Sequence, residues 1–255
     1  MACERLGLAE EHMKTLWIAC ALLIVSVRVA AAGPGGLNLG WNECGGMPAT
    51  LNRTFACNTN LGFNTLVGSF VTPCCVTAMS ANEVVMNLQS ASPTWPSWWD
   101  LRTGMCRPGG SLFASVDFTA GPFTCLDYWE AVAVSGILMD QVAGNRSRIR
   151  IIAALPAGDP RIRPIEEGTE VYAFKVTVTN AKSVGGACPG CLTPVCIVLN
   201  SININQPVGE PGRNKFVSMP AMRNYANWQG GISGDCYMAT PARSTTWGSV
   251  KALYR

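Results

Sequence analysis

The sequence predicts an all-β protein, an antiparallel β-sandwich of the Ig-like or jelly-roll-like kind, on three observations. Segments of period-two alternation recur along the chain, Gly, Pro and Asn turns separate them, and helical patterning between them is sparse. Strands without interleaved helices pair antiparallel. A single sheet of this length leaves an apolar face uncovered, so two sheets packed face to face are expected.

The elements follow in chain order. Leu37 to Trp41 forms a short first strand, and Phe63 to Val71 is β-rich with weaker alternation. Val84, Met86 and Leu88 oppose Asn87 and Gln89, and Leu112, Ala114, Val116 and Phe118 oppose Ser111, Ser115 and Asp117. One short helix is predicted from Asp127 toward Met139, because Asp127 with Glu130 three residues later has the spacing of a capping box. Ile149, Ile151, Ala153 and Leu155 face away from Arg146, Arg148 and Arg150. In Glu170 to Thr179 the alternation is clearest, with Tyr172, Phe174, Val176 and Val178 on one face and Lys175, Thr177 and Thr179 on the other. Cys196 to Ile204 is the last strand of about seven, and Thr246 to Tyr254 suits a terminal helical turn.

Residues 1–32 read as a leader. From Met13, taken as the true start, come Lys14, an apolar stretch from Leu16 to Val27 and the cleavage signal Ala30-Ala31-Ala32. Arg28 and Gly33-Pro34-Gly35-Gly36 argue against a membrane anchor, which needs roughly 18 or more apolar residues. A lipid anchor on Cys20 is disfavoured because most of the apolar run follows that cysteine. Residues 33–255 then form a single sandwich domain, with no internal repeat or low-complexity linker and a disulfide-stapled, loop-rich N-terminal third.

Removing the leader changes the chemistry. The one histidine, His12, goes with it, which excludes Ser-His-Asp and Cys-His nucleophilic sites and every His-ligated metal. Cys3 and Cys20 also go, and an even set of cysteines is left in a chain read as exported, the signature of disulfides. Cys44, Cys57, Cys106, Cys125, Cys188, Cys191, Cys196 and Cys236 are assigned to bridges. Proximity suggests Cys44 with Cys57 and Cys106 with Cys125; the adjacent pair Cys74-Cys75 must mostly bond outward, since neighbours bridge only with strain. Cys188-x2-Cys191 resembles a redox motif, but strand-like residues flank it where a helix N-terminus would be needed to lower a thiol pKa, and a zinc ribbon would want a second such pair.

Several stretches, "LNLGWNECGG" from Leu37, "FACNTN" from Phe55, "CLDYWE" from Cys125, "CPGCLTPVCIVLN" from Cys188 and "TWGSVKALYR" from Thr246, give the chain a general pattern. In that pattern it resembles exported, cysteine-rich bacterial β-proteins. The resemblance implies a bacterial, secreted protein and no catalytic residue.

Three constellations could carry function. Trp95, Trp98 and Trp99 lie in the proline-bounded loop "PTWPSWWD", where indoles either stack on sugar rings or plug one end of the sandwich; the plug is preferred. Arg146, Arg148 and Arg150, followed by Arg161 and Arg163, could meet an anionic ligand, but Glu166, Glu167 and Glu170 stand near in sequence to pair with them. A formal net charge of +3 is small for nucleic-acid binding. Asp100, Asp117, Asp127, Glu130 and Asp140 are candidates for carboxylate glycosidase chemistry, although nothing in sequence pairs them. Asn58, Asn60 and Asn64 could offer oxygens to calcium, yet asparagine in a turn is the ordinary case. The expectation is a secreted, non-enzymatic surface, matrix or interaction protein without cofactor or metal. Its partner would be a glycan or cell-surface component; the alternatives are a carbohydrate-binding module, a glycosidase and a thiol oxidoreductase.

Overall fold

The computed structural model describes residues 35–44, 50–107, 109–119, 125–211 and 214–230. They form two β-sheets in a sandwich-like arrangement, and the one short helical piece among them is a 3-10 turn at Ser97–Trp99. The strands are β1 (Gly36–Trp41), β2 (Asn52–Arg53), β3 (Phe63–Val71), β4 (Ala81–Ser90), β5 (Leu112–Ser115) and β6 (Val134–Ala143). They continue with β7 (Arg146–Ala154), β8 (Glu170–Thr179), β9 (Val195–Asn205), β10 (Lys215–Val217) and β11 (Tyr225–Trp228). The leader, Cys236 and the turn expected at 246–254 lie outside the described residues.

One sheet has the order β1-β3-β8-β5 and the other β2-β11-β9-β4-β7-β6, with β10 also on β9. Pairing is antiparallel throughout, except that β11 runs parallel to β2. The central pairs β3–β8 and β4–β9 join segments distant in sequence. All seven strands expected from alternation are present, and their apolar faces meet: Val84, Met86 and Leu88 of β4, Ile149 and Ile151 of β7, Phe174, Val176 and Val178 of β8, and Leu199 and Ile202 of β9 are buried in one core.

Two expectations are corrected. The helix from Asp127 does not form. The Asp127 carboxylate instead accepts from the Trp129 backbone N–H at 2.9 Å, closing a local turn. Glu130 and Ala131 then take φ of 47° and 57°, in the left-handed region where no α-helix continues. The chain emerges as β6, which sets Ile137 opposite Ile151 and Met139 opposite Ile149. An apolar run of four residues, Gly136 to Met139, fits either period, and here burial against β7 decides.

The second correction concerns Tyr172. A register shift at Gly68/Ser69 puts Gly68 opposite Phe174 and Ser69 opposite Tyr172, with Ala173 between as the extra residue. A bulge of this kind reverses the facing of everything beyond it. Phe174 is therefore fully buried, while Tyr172 falls on the opposite face and is half-buried. The Phe174 ring lies over Gly68, where an added Cβ would sit 2.1 Å from Cζ of the ring. Gly68→Ala is expected to lose about 2 kcal/mol by forcing that ring aside, measured as a lower urea midpoint at unchanged m-value.

Candidate functional site

At one end of the sandwich three loops converge: residues 54–61 before β3, residues 91–107 after β4, and residues 180–194 between β8 and β9. Disulfides fasten them. Cys57 is bonded to Cys191 and Cys106 to Cys188, while Cys44 is bonded to Cys125. The pairings Cys44–Cys57 and Cys106–Cys125 are thus replaced by bridges 81 to 134 residues apart in sequence. Short separation made the local pairs plausible, but the sheets carry the 188–191 turn between the other two loops. Cys196 is disulfide-bonded as well. Cys188 and Cys191 each bond a different segment and leave no dithiol for exchange, so the oxidoreductase reading of this pair is corrected. They clamp a turn.

The tryptophan loop closes over the same end. Pro96 leads into the Ser97–Trp99 turn, whose Trp98 N–H donates to the Pro189 carbonyl at 2.9 Å. Trp98 and Trp99 are 0% and 1% exposed. Their rings pack on Trp228 at centroid distances of 5.0 and 5.4 Å, and Trp228 stacks on Phe55 at 4.0 Å. The Trp228 indole N–H donates to the Cys191 carbonyl at 2.7 Å, tying this aromatic core to the disulfide turn. Neither Trp98 nor Trp99 offers a face to a sugar, so stacking on these two is corrected to packing; Trp95 is half-buried, its indole N–H donating to the Trp99 carbonyl at 3.1 Å. Gly190, at φ 111°, passes under Pro96 so closely that a Cβ would meet the proline Cβ at 2.5 Å.

Arg107 is a residue that sequence patterning did not single out. It is 0% exposed, with its guanidinium 3.9 Å from the centre of the Trp98 ring. It donates to the carbonyls of Trp98, at 3.3 Å, and of Thr179. Its Nε finds no acceptor, and no salt bridge to it occurs among the described residues. Burial pushes its pKa down to about 10. The cation is held by carbonyl dipoles and an indole face, and so acts as a bolt between the tryptophan loop and the end of β8.

Beside this bolt an open groove of about 600 Å³ is lined by Ser92, Ser183, Leu192, Thr193, Pro194 and the Cys57–Cys191 bridge, among others. None of its lining residues carries a titratable side chain, the cysteines being bridged. It offers backbone polar groups, the hydroxyls of Ser92, Ser183 and Thr193, and an apolar rim at Leu192, which is 73% exposed.

The acidic candidates are placed elsewhere and engaged. Asp100 pairs with Arg102 at 2.7 Å, which holds the guanidinium above its usual range. Asp140 pairs with Arg150 at 2.6 Å, and Glu130 with Arg161 at 2.9 Å. Asp117 accepts from the Thr119 N–H in its own loop. Arg146, Arg148 and Arg150 do project from one face of β7, Arg148 donating to Asn87 at 3.0 Å. Of the glutamates near in sequence, Glu170 is engaged elsewhere, accepting from Asn38 and Ser69 within the sheet that does not contain β7. Asn60 and Asn64 are likewise used locally, Asn60 accepting from the Val184 N–H and Asn64 donating to Asn180. Among the described residues no group of three or more His, Cys, Asp or Glu is placed to hold a metal, and no helix is long and apolar enough to cross a membrane.

No family model matches the chain, and neither does any curated protein. The observations stand on their own: an all-β, multiply disulfide-bonded protein.

Proposed function

We propose that this is an exported, non-enzymatic β-sandwich acting as a surface, matrix or interaction protein, and that it receives its partner in the groove beside the Cys57–Cys191 bridge. One observation carries the reading: the groove's walls are covalently fixed, yet they bear no titratable group to take the proton from a serine or threonine hydroxyl. Rigid walls reduce the ordering cost of binding. Export is supported by the leader pattern and by disulfides, which persist outside reducing compartments. The partner class is a glycan or another cell-surface component, recognised by shape and backbone hydrogen bonds.

The test is an array of surface glycans and peptides probed with the purified protein and with Leu192→Arg, which places a charge on the exposed rim. Binding weakened at least about tenfold, equivalent to about 1.4 kcal/mol, at unchanged melting temperature, is the expected result. A hydrolase activity abolished by one point change would overturn the proposal. Binding indifferent to Leu192→Arg but lost in Trp95→Ala would move the site to the tryptophan loop.

A further inference from the structure

Two cysteines stand apart from the disulfide framework. Among the described residues, Cys74 and Cys75 are the ones with free thiols. They occupy the tip of the loop between β3 and β4, and both feet of that tip are fixed to the loop before β8. The Thr72 N–H donates to the Thr169 carbonyl at 2.8 Å, and the Ile165 N–H donates to the Val76 carbonyl at 3.1 Å. Pro73 stiffens the entry. Cys75 takes φ 67°, a left-handed conformation that costs a non-glycine residue roughly 1 kcal/mol. Cys75 is exposed and Cys74 half-buried. Interaction with the neighbouring Cys75 thiol, through hydrogen bonding and then its charge, holds the Cys74 thiol above its ordinary range.

We propose that Cys74 and Cys75 form a reversible redox site, closing to a disulfide between neighbours with a small-molecule disulfide as oxidant and reopening with a thiol as reductant. The exposed Cys75 thiolate attacks the small disulfide, forming a mixed disulfide and releasing one thiol. The Cys74 thiolate then attacks the Cys75 sulfur, closing the ring and releasing the second. Two protein thiols lose two electrons and two protons, and one external disulfide becomes two thiols. Proximity favours this closure over a bond to another molecule, because the second thiol is carried by the next residue, at an effective concentration far above that of dissolved protein.

The same adjacency makes the bond easy to break. Neighbouring Cα atoms lie about 3.8 Å apart, inside the roughly 4.4 Å lower end of ordinary disulfides, and a strained bridge has a more oxidising potential. The three long-range bridges span 5.5 to 5.8 Å between Cα atoms and lie within the ordinary range. The pair therefore responds to ambient thiol while the framework stays closed.

The experiment equilibrates the purified protein in buffers of oxidised and reduced glutathione, quenches with acid and cleaves without reduction after Phe70 and Glu83. The resulting fragment holds these two cysteines and no others. Expected is a fragment lighter by two hydrogens under oxidising buffer, returning to the dithiol at a ratio of squared reduced to oxidised glutathione concentration at least about tenfold lower than the one at which the other bridges open, a separation of about 30 mV. In Cys74→Ser the exposed thiol keeps its glutathione, since nothing displaces it. A wild-type fragment that carries glutathione, that is joined to a second chain, or that is reduced only together with the framework overturns the proposal.

Discussion

Replacing Cys57 and Cys191 together by alanine lowers the unfolding free energy by about 4 kcal/mol. Their separation of 134 residues suggests a larger loop than the bond actually closes. With Cys44–Cys125 and Cys106–Cys188 in place, the unfolded chain already connects the two positions by a path of about 35 residues, and the loop-closure entropy of such a ring is worth about 4 kcal/mol on the chain-entropy model. The loss is read from urea unfolding, with an m-value that rises because the less constrained unfolded state exposes more surface. Cys74→Ser/Cys75→Ser, on an exposed turn outside this framework, costs under about 0.5 kcal/mol. A Cys57/Cys191 loss under about 1 kcal/mol would mean that the aromatic core holds the groove end without the bridge.

The contrast between the two pairs shows where sequence reasoning reached and where it stopped. The free thiols and the bonded ones share a residue type, and nothing local separates Cys75 from Cys57; only the sheet order decides which sulfurs meet. Alternation, together with β-rich composition, located β3 and β8 to the residue, although residues 65–70 and 173–178 are buried on both faces of their strands. It failed at Tyr172, where a bulge shifts the count by one, and at Gly136 to Met139, where the apolar run carries no period at all. β2, β10 and β11 are two to four residues long, too short for alternation to register, and exist because longer neighbours offer them edges. The plug reading of Trp98 and Trp99 rested on a general expectation about open sandwich ends, and their burial against Trp228 gives it atomic form. Arg107 left no trace in the pattern. A cation next to Cys106 and Pro108 reads as surface, and its burial follows from the face of Trp98 and two carbonyls brought together by folding.

Arg107→Ala is accordingly expected to cost about 3 to 4 kcal/mol. The carbonyls of Trp98 and Thr179 lose their donor inside the protein, each at about 1 kcal/mol or more, and the space left by the side chain adds a cavity cost. Against this, the guanidinium is itself held at a disadvantage: the fall of its pKa from the ordinary guanidinium range to about 10 corresponds to roughly 3 kcal/mol of lost hydration. The unfolded chain binds the proton more tightly, so from pH about 10 up to the ordinary guanidinium range this group makes the folded state relatively more stable as pH rises, and at neutral pH its charge is a standing penalty. Arg107→Met tests the balance, because it keeps most of the volume packed on Trp98 and removes the buried charge. A methionine variant that loses less than half of what alanine loses makes packing the larger share of the bolt. If methionine and alanine lose alike, the cation's bonds to the two carbonyls and the indole face are what hold the tryptophan loop onto β8, and the residue is tolerated there for its charge in spite of burial.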